Sequence, residues 1–242
     1  MHSGESGENQ AMPHEGLIAR DLRHVWHPCS QMKDYETFPP VEIAGARGSR
    51  LLLRDGSTLL DSGSSWWCKT LGHGHPRLRA ALVEQASGYE HVIGANTVSE
   101  PLVELSERLA ALCPPLDKVF YGGDGSTAVE IALKMALHAQ RILGRTGRTR
   151  FIALENGYHG EGGLSLAVSD LGLYRAPYAD VLPEPVILRG LPYVSGPEDP
   201  LWSDCGAVWP ALERQLEEHA EDAAALIVEP VLQGAGGMLV FS

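Results

Sequence analysis

The chain alternates between short, continuous apolar runs and longer amphipathic stretches. Three apolar runs, residues 119–121, 151–154 and 226–228, have the pattern of strands that are covered on both faces. Apolar residues at helical spacing predict helices over residues 76–88, 100–112, 127–143 and 207–220. Strands that alternate with helices predict an α/β fold, with a mostly parallel sheet flanked by helices.

The flanking segments are shorter or less regular. Residues 17–30 predict a short helix or turn, and residues 41–60 a small hairpin that turns at Asp55-Gly56. Small and aromatic residues then form a loop over residues 61–72, and residues 172–200 are rich in Pro and Gly and predicted irregular. Residues 1–16 are polar and have no apolar core, which predicts a disordered leader and not a signal peptide.

One strand-loop-helix passage, residues 118–135, carries the strongest chemical signal. Its apolar strand runs into glycines and then into an apolar helix, for which Thr127 and Glu130 fit a capping box. The free amides of the first helical turn, with Gly125 and Ser126 beside them, can donate to a phosphate. The passage therefore predicts a phosphorylated cofactor or substrate.

Two kinds of phosphorylated ligand fit this passage. Gly123-Asp-Gly125-Ser-Thr-Ala128 matches the dinucleotide fingerprint, and Glu155 ends the next strand as a candidate ribose ligand. However, the gap to Glu155 is long, and Tyr158 follows it closely. An aromatic ring there suits stacking on a pyridine ring, so a pyridoxal phosphate site and a nicotinamide site both remain open.

Composition narrows the class of protein. The 242 residues are 44% hydrophobic, 21% charged and carry a net charge of −12, which is ordinary for a globular protein and argues against nucleic acid and acidic membranes as partners. Four cysteines without C-x-x-C spacing indicate reduced thiols and a cytoplasmic location. His73 and His75 could form a metal pair, but no third ligand lies nearby, so no metal site is expected.

Five segments, in order and at compatible spacing, resemble the class III, fold-type I pyridoxal-phosphate aminotransferases. They are Arg23-His-Val-Trp-His-Pro28, Ser64-Ser-Trp-Trp67 with Gly72-His-Gly-His-Pro76, Asp124-Gly-Ser-Thr-Ala-Val-Glu130, Glu155-Asn-Gly-Tyr-His-Gly160, and Val228-Glu-Pro-Val-Leu-Gln-Gly-Ala-Gly-Gly-Met238. The Trp-His-Pro and Ser-Ser-Trp-Trp segments favour the member that moves the amino group of S-adenosylmethionine to 8-amino-7-oxononanoate in biotin biosynthesis.

The resemblance implies a role for each matching residue. Gly125 and Ser126 would bind the cofactor phosphate, Tyr158 would stack on the pyridine ring and contact substrate, Trp66 would line the substrate pocket, and Glu229 would lie near the cofactor. It also implies a homodimer. Three positions depart from the pattern: Gly122-Gly123 in the phosphate loop, Cys29 after His-Pro, and Glu161-Gly162 after Tyr-His-Gly.

The same resemblance implies that much of the enzyme lies outside this sequence. The family's Schiff-base lysine follows the Gly-rich segment, and none of Lys33, Lys69, Lys118 and Lys134 stands in its context. We therefore expect residues 17–70 to form an amino-terminal segment and residues 71–242 an incomplete, truncated cofactor-binding large domain, with the carboxyl-terminal small domain absent. The 242-residue chain alone is expected to be inactive.

Other interpretations stay open on the sequence alone. The chain could belong to an ω-aminotransferase of the same family, to a non-catalytic truncated product, or to a nicotinamide-dependent oxidoreductase. Trp66 and Tyr158 could be packed aromatics, Glu229 a strand terminator, and Asp124 a helix cap without further chemistry.

Overall fold

The computed structural model describes residues 16–242, so the predicted leader lies outside the described residues except for Gly16. The chain divides into two compact units, one up to Ser99 and the other Glu100–Ser242, and each is described by itself. The proposed domain boundary near residue 70 stays a prediction.

The first unit is built around a small antiparallel sheet. Its strands β1 (Ile43–Arg47), β2 (Arg50–Leu53) and β3 (Thr58–Leu60) pair in sequence order. The predicted Asp55-Gly56 turn joins β2 to β3, and Gly56 has the positive φ of +86° that this turn requires. Helix α1 (Leu17–His24), a 3₁₀ turn (Met32–Glu36), the four-residue α2 (Ser64–Trp67) and α3 (Pro76–Gly88) complete the unit.

The second unit is an α/β sandwich. Its elements are α4 (Glu100–Leu112), α5 (Gly125–Ile142), β4 (Arg150–Leu154), α6 (Gly163–Ala167), α7 (Gly172–Arg175) with a 3₁₀ turn (Ala176–Tyr178), β5 (Val186–Leu188), α8 (Pro200–Ser203), α9 (Trp209–His219), β6 (Ala223–Leu226), β7 (Leu232–Gln233) and β8 (Leu239–Val240). Strands β5, β4 and β6 form a parallel sheet in that order, and β7 and β8 form a hairpin.

The central strand β4 is buried on both faces. Ile152 and Leu154 lie in a core cluster with Leu212 of α9, while Phe151 and Ala153 lie in a second cluster with Leu133 of α5. Successive side chains of a strand point to opposite faces, so β4 joins the two layers of helices. This arrangement confirms the predicted α/β class with a parallel sheet.

Three predictions about elements were wrong. Residues 119–121 form no strand, and Phe120 is 73% exposed, because no described strand pairs with this segment. The run 226–228 is only half covered, since β6 ends at Leu226 and is an edge strand. Conversely, the segment predicted irregular contains β5, whose three apolar residues were too short a run to stand out among prolines.

Candidate functional site

The start of α5 is capped by the residue before it. Asp124 Oδ1 accepts from the backbone N of Thr127 at 2.7 Å, and Asp124 Oδ2 accepts from Thr127 Oγ1 at 2.9 Å. The predicted capping box is therefore wrong, because Thr127 is the third helical residue and Glu130 bonds elsewhere. Donation from the Thr127 amide holds the pKa of Asp124 below its usual value. The interpretation of Asp124 as a helix cap is confirmed.

Two amides of the first turn lie outside the hydrogen-bond ladder of the helix, and that of Ser126 also acts on the Asp124 carboxylate. The first helical bond runs from Ala128 N to Asp124 O, so the amides of Gly125 and Ser126 are not used by the helix ladder. A Cβ added at Gly125 would meet no atom within 4 Å, which shows that the approach to its backbone is open. The geometry suits an anion on the positive end of α5.

The hydroxyl of Ser126 joins α5 to the loop that carries Tyr158. Ser126 Oγ accepts from the backbone N of Glu161 at 3.2 Å and of Gly162 at 3.1 Å, and lies 2.9 Å from Ser165 Oγ. Glu130 supports the same loop by accepting from Ser165 N at 2.6 Å. The predicted phosphate residues and the predicted ring residue are thus brought together. The Ser126 hydroxyl itself is engaged with protein.

Backbone contact between this loop and α5 is very close at Gly160. Gly160 has φ +125°, and a Cβ built on it would lie 2.5 Å from Ser126 Oγ and 2.8 Å from Ser126 Cα. Only glycine tolerates both the conformation and the approach. Gly160 therefore sets how near the Tyr158 loop comes to the start of α5.

Tyr158 is fixed at its backbone and at its hydroxyl. Its amide donates to Glu229 Oε1 at 2.7 Å, and its hydroxyl donates to Glu161 Oε1 at 2.9 Å. Its ring lies 6.2 Å from the ring of Tyr174 at a tilt of 58°. The other carboxylate oxygen of Glu229 accepts from Gly234 N at 3.4 Å. Glu229 thus links the Tyr158 loop to the Gly-rich segment after β6.

A buried polar network that the sequence did not indicate lies beside this loop. Gln233 is fully buried; its Nε2 donates to the carbonyl of Glu155 at 2.6 Å, and its Oε1 accepts from the hydroxyl of Tyr193 at 2.8 Å. Asn156, at φ +58°, donates its side-chain amide to the same hydroxyl. Burial is the first cause that raises the pKa of Tyr193. In the sequence, the only indication of this network is that Gln233 stands inside an apolar and glycine-rich segment.

The carboxylate of Glu155 is also committed to the fold. Its Oε1 accepts from the backbone amides of Gly190 and Leu191, at 2.8 and 3.0 Å. The alternative role as a ribose ligand would fall to the other carboxylate oxygen, Oε2, because these two bonds use Oε1.

His159, next to Tyr158, is a buried neutral imidazole. The residue is 9% exposed, its amide donates to Ser169 Oγ at 2.9 Å, and its Nε2 is buried without a hydrogen-bond partner among residues 16–242. Burial lowers the pKa of His159 to about 4 from 6.5. The side chain is therefore uncharged at neutral pH.

Trp66, the predicted substrate-pocket residue, belongs to the first unit. It is 65% exposed and Trp67 is 62% exposed, so neither is a core aromatic. Ser64, Ser65, Trp66 and Trp67 all have positive φ, between +48° and +63°, which makes α2 a left-handed turn. Non-glycine residues adopt this conformation at a cost of about 1–2 kcal/mol each.

The histidines of the same segment have separate surroundings. His73 Nε2 lies 2.7 Å from Asp61 Oδ2, and His75 precedes α3. Within the part of the chain that the structure describes, no three His, Cys, Asp or Glu side chains are grouped as metal ligands would be. In the same part, every helix is too short or too polar to cross a lipid bilayer.

Comparison with known families identifies the class. Residues 31–242 match the family described as aminotransferase class III, and the chain belongs to that family. The helix start, the Tyr158 loop and the segment around Glu229 all lie within the matched region.

Among its relatives, this chain is similar to enzymes named adenosylmethionine-8-amino-7-oxononanoate aminotransferase. It is 38% identical to that of Helicobacter pylori over 94% of this chain and 50% of the relative, and 37% identical to that of Geobacter sulfurreducens over 91% and 49%. The chain therefore spans about half the length of the curated relatives it matches.

Solved structures share the fold over the same extent. The adenosylmethionine-8-amino-7-oxononanoate aminotransferase of Methanocaldococcus jannaschii superposes with a TM-score of 0.83 at 30% identity, covering 93% of this chain and 49% of the other. The ω-transaminase of Pseudomonas jessenii, in complex with PMP, also gives 0.83, at 26% identity over 94% and 51%. The fold is that of the fold-type I aminotransferases.

Proposed function

We propose that the chain is the amino-terminal part of a pyridoxal-phosphate enzyme that transfers the amino group of S-adenosylmethionine to 8-amino-7-oxononanoate in biotin biosynthesis. The observation that carries the proposal is the pair of hydrogen bonds that the backbone amides of Glu161 and Gly162 donate to Ser126 Oγ. They bring an aromatic loop to an open helix start, which is the pairing that a phosphorylated pyridine ring needs. The names of the relatives support the choice of substrates.

The residues present fit the cofactor. The amides of Gly125 and Ser126 would hold the phosphate, the Tyr158 ring would cover one face of the pyridine, and Glu229 would keep the Tyr158 backbone in place. When bound, pyridoxal phosphate supplies an electron sink for carbanion chemistry. The chain's own contribution is to bind and orient that ring, since none of its four lysines lies on the Tyr158 loop or among the first residues of α5.

The Asp124 carboxylate adds a constraint at this helix start. It is held ionised beside the phosphate position by the Thr127 amide, and like charges repel. Phosphate affinity here is therefore expected to rest on the first-turn amides and to improve when Asp124 is replaced by Asn, which keeps the cap.

Titration of the 242-residue chain with pyridoxal phosphate, followed by absorbance and by quenching of tryptophan emission, tests the proposal. We expect saturable binding that Tyr158→Ala weakens at least about tenfold, because ring stacking is lost. The matched control is Tyr89→Ala, which removes a tyrosine of the first unit. Saturable binding of NAD without binding of pyridoxal phosphate would refute the proposal. Equal affinity of Tyr158→Ala and wild type would refute the role of Tyr158.

A second candidate is an ω-aminotransferase, because the P. jessenii structure matches this fold with the same TM-score as the M. jannaschii enzyme. Co-expression with the carboxyl-terminal half of the G. sulfurreducens relative separates the two. Turnover with S-adenosylmethionine supports the first proposal, whereas turnover only with ω-amino acids supports the second. We also propose that the assembled enzyme is a cytoplasmic homodimer; gel filtration of the co-expressed protein tests the dimer.

A further inference from the structure

The loop that presents Trp66 and Trp67 keeps an unfavourable backbone conformation without a core beneath it. Four successive residues of α2 are left-handed, and both indole side chains are more than 60% exposed. Neither packing nor glycine explains why this turn holds its shape. Strained backbone that persists is over-determined by its surroundings and concentrates at ligand sites.

The surroundings here converge on one carboxylate. Asp61 follows β3, and its Oδ1 accepts from the backbone N of Ser65 at 2.9 Å. Its Oδ2 accepts from Ser65 Oγ at 2.8 Å and lies 2.7 Å from His73 Nε2. The Asp61 side chain is 11% exposed and that of His73 is 13% exposed. The two oxygens therefore bind the beginning of the loop and its end at once.

His73 is in turn anchored to the sheet. Its backbone N and O exchange hydrogen bonds with Gly48, at 2.8 and 3.0 Å. Gly72 approaches so closely that a Cβ would lie 3.1 Å from Gly48 Cα. Asp61 is anchored as well, because its amide donates to Ser49 O at 2.8 Å. Both ends of the loop are thus attached to the turn between β1 and β2.

We propose that Asp61 and His73 are positioning residues, which hold the Trp66–Trp67 pair in its ligand-ready conformation before any ligand arrives. The inference rests on the proposed function for the identity of the ligand, which is the substrate whose pocket Trp66 would line. It adds the residues that preorganise this aromatic pair. The Asp61 carboxylate holds Ser65, next to Trp66, and its contact with His73 joins the two ends of the loop.

Hydrogen exchange of the 242-residue chain, read by mass spectrometry over residues 62–72, tests the arrangement without a ligand. The amides of Ser65, Trp67 and Lys69 are hydrogen-bonded within this segment and should be protected in the wild type. Asp61→Ala should accelerate their exchange at least about tenfold, since hydrogen bonds to a charged acceptor are lost. Asp61→Asn, which keeps one acceptor oxygen, should fall between the two.

Asp55→Ala is the matched control. Asp55 accepts from the backbone N and the Oγ of Ser57, at 2.9 and 2.7 Å, so the change removes the same kind of bond from the same sheet. It should leave exchange over residues 62–72 unchanged. Wild-type exchange as fast as in an unstructured peptide would overturn the inference, as would equal effects of Asp55→Ala and Asp61→Ala.

A second readout follows the indole rings. With Trp26, Trp202 and Trp209 replaced by Phe, emission reports only Trp66 and Trp67. Asp61→Ala and His73→Ala should lower the emission anisotropy, while exchange over residues 50–60 stays at its wild-type rate. Unchanged anisotropy, or loss of protection throughout the sheet, would show a merely structural role. Adding S-adenosylmethionine to the same protein tests the proposed substrate separately, because an unaltered emission spectrum would count against the ligand and leave the positioning result standing.

Discussion

The Trp66 loop and the Tyr158 loop both present an aromatic side chain, but they are held in opposite ways. The Tyr158 loop follows a strand buried on both faces and is bonded to α5, α6, β7 and the segment after β6. The Trp66 loop follows an exposed edge strand; the Asp61 carboxylate joins its beginning to its end, and backbone bonds attach both ends to Gly48 and Ser49. We expect contacts that are distributed over several elements to spread a local change through the second unit. We expect a change in the Trp66 loop, which is joined mainly through Asp61, to stay within that loop.

The largest expected effect on stability comes from a change in the Tyr158 loop. Gly160→Ala places a Cβ within 2.8 Å of the backbone of Ser126 at a φ of +125°. Strain and overpacking together should lower the free energy of unfolding of the second unit by about 3–5 kcal/mol. Gly163→Ala, where a Cβ meets nothing within 4 Å, is the control. Similar urea midpoints for the two variants would contradict the close contact.

Gln233→Ala should have the next largest effect. The change removes the donor at 2.6 Å from the carbonyl of Glu155 and the acceptor of the Tyr193 hydroxyl, which keeps its contacts with Asn156 and with the Glu155 carbonyl at 3.4 Å. A buried polar group that loses its best partner costs about 1–3 kcal/mol, so a loss of about 1–3 kcal/mol is expected in urea unfolding. Gln215→Ala removes a similarly bonded but partly exposed amide and should cost under about 1 kcal/mol. Equal losses would show that burial of the network is unimportant.

The acid side of the stability profile isolates the contribution of one buried side chain of the Tyr158 loop, His159. The folded chain keeps His159 neutral down to a pKa of about 4, whereas the unfolded chain protonates it near 6.5. Its contribution is therefore fully present above pH 6.5 and is lost as the pH falls from 6.5 toward 4, by at most about 1.4 kcal/mol per pH unit. His159→Gln should flatten the profile between pH 4 and 6.5, measured by urea unfolding at each pH. If wild type and His159→Gln lose stability equally steeply between pH 6.5 and 4, His159 is not the origin of the pH dependence.

The smallest expected effect on stability comes from a change in the Trp66 loop. Gly72→Ala meets the Gly48 backbone at 3.1–3.2 Å and has a φ of +79°. It should cost about 1–2 kcal/mol, and hydrogen exchange should rise only over residues 61–73. Exchange that also rises in the second unit, over β4 and β6, would contradict the expectation that the effect stays within the Trp66 loop.

The sequence predicted those parts of the fold whose signal is local. Helices α3 and α4 begin and end at the predicted residues, and the burial of β4 follows from its continuous apolar run. The family, and with it the resemblance to the fold-type I aminotransferases, followed from motifs that are themselves contiguous.

What could not be predicted depends on contacts between distant segments. The run at 119–121 has strand composition, but a strand also needs a neighbour, and none of the described strands pairs with it. Glu130 fits a capping box by spacing, yet its carboxylate bonds Ser165, 35 residues away. The residue types of Gln233 and Asp61 say little about their roles, because these depend on the distant groups that the two side chains bridge.

The bonds of Gln233 and Glu229 also bear on the order in which the site forms. Ser126 and Ser165 are separated by 39 residues, whereas Tyr158 and Glu229 are 71 apart and Glu155 and Gln233 are 78 apart. Contacts across longer stretches of chain close more slowly and later in synthesis. The anion-binding side of the site can therefore assemble on a nascent chain that still lacks the segment after β6, and the Tyr158 backbone is bonded to Glu229 only when that segment emerges.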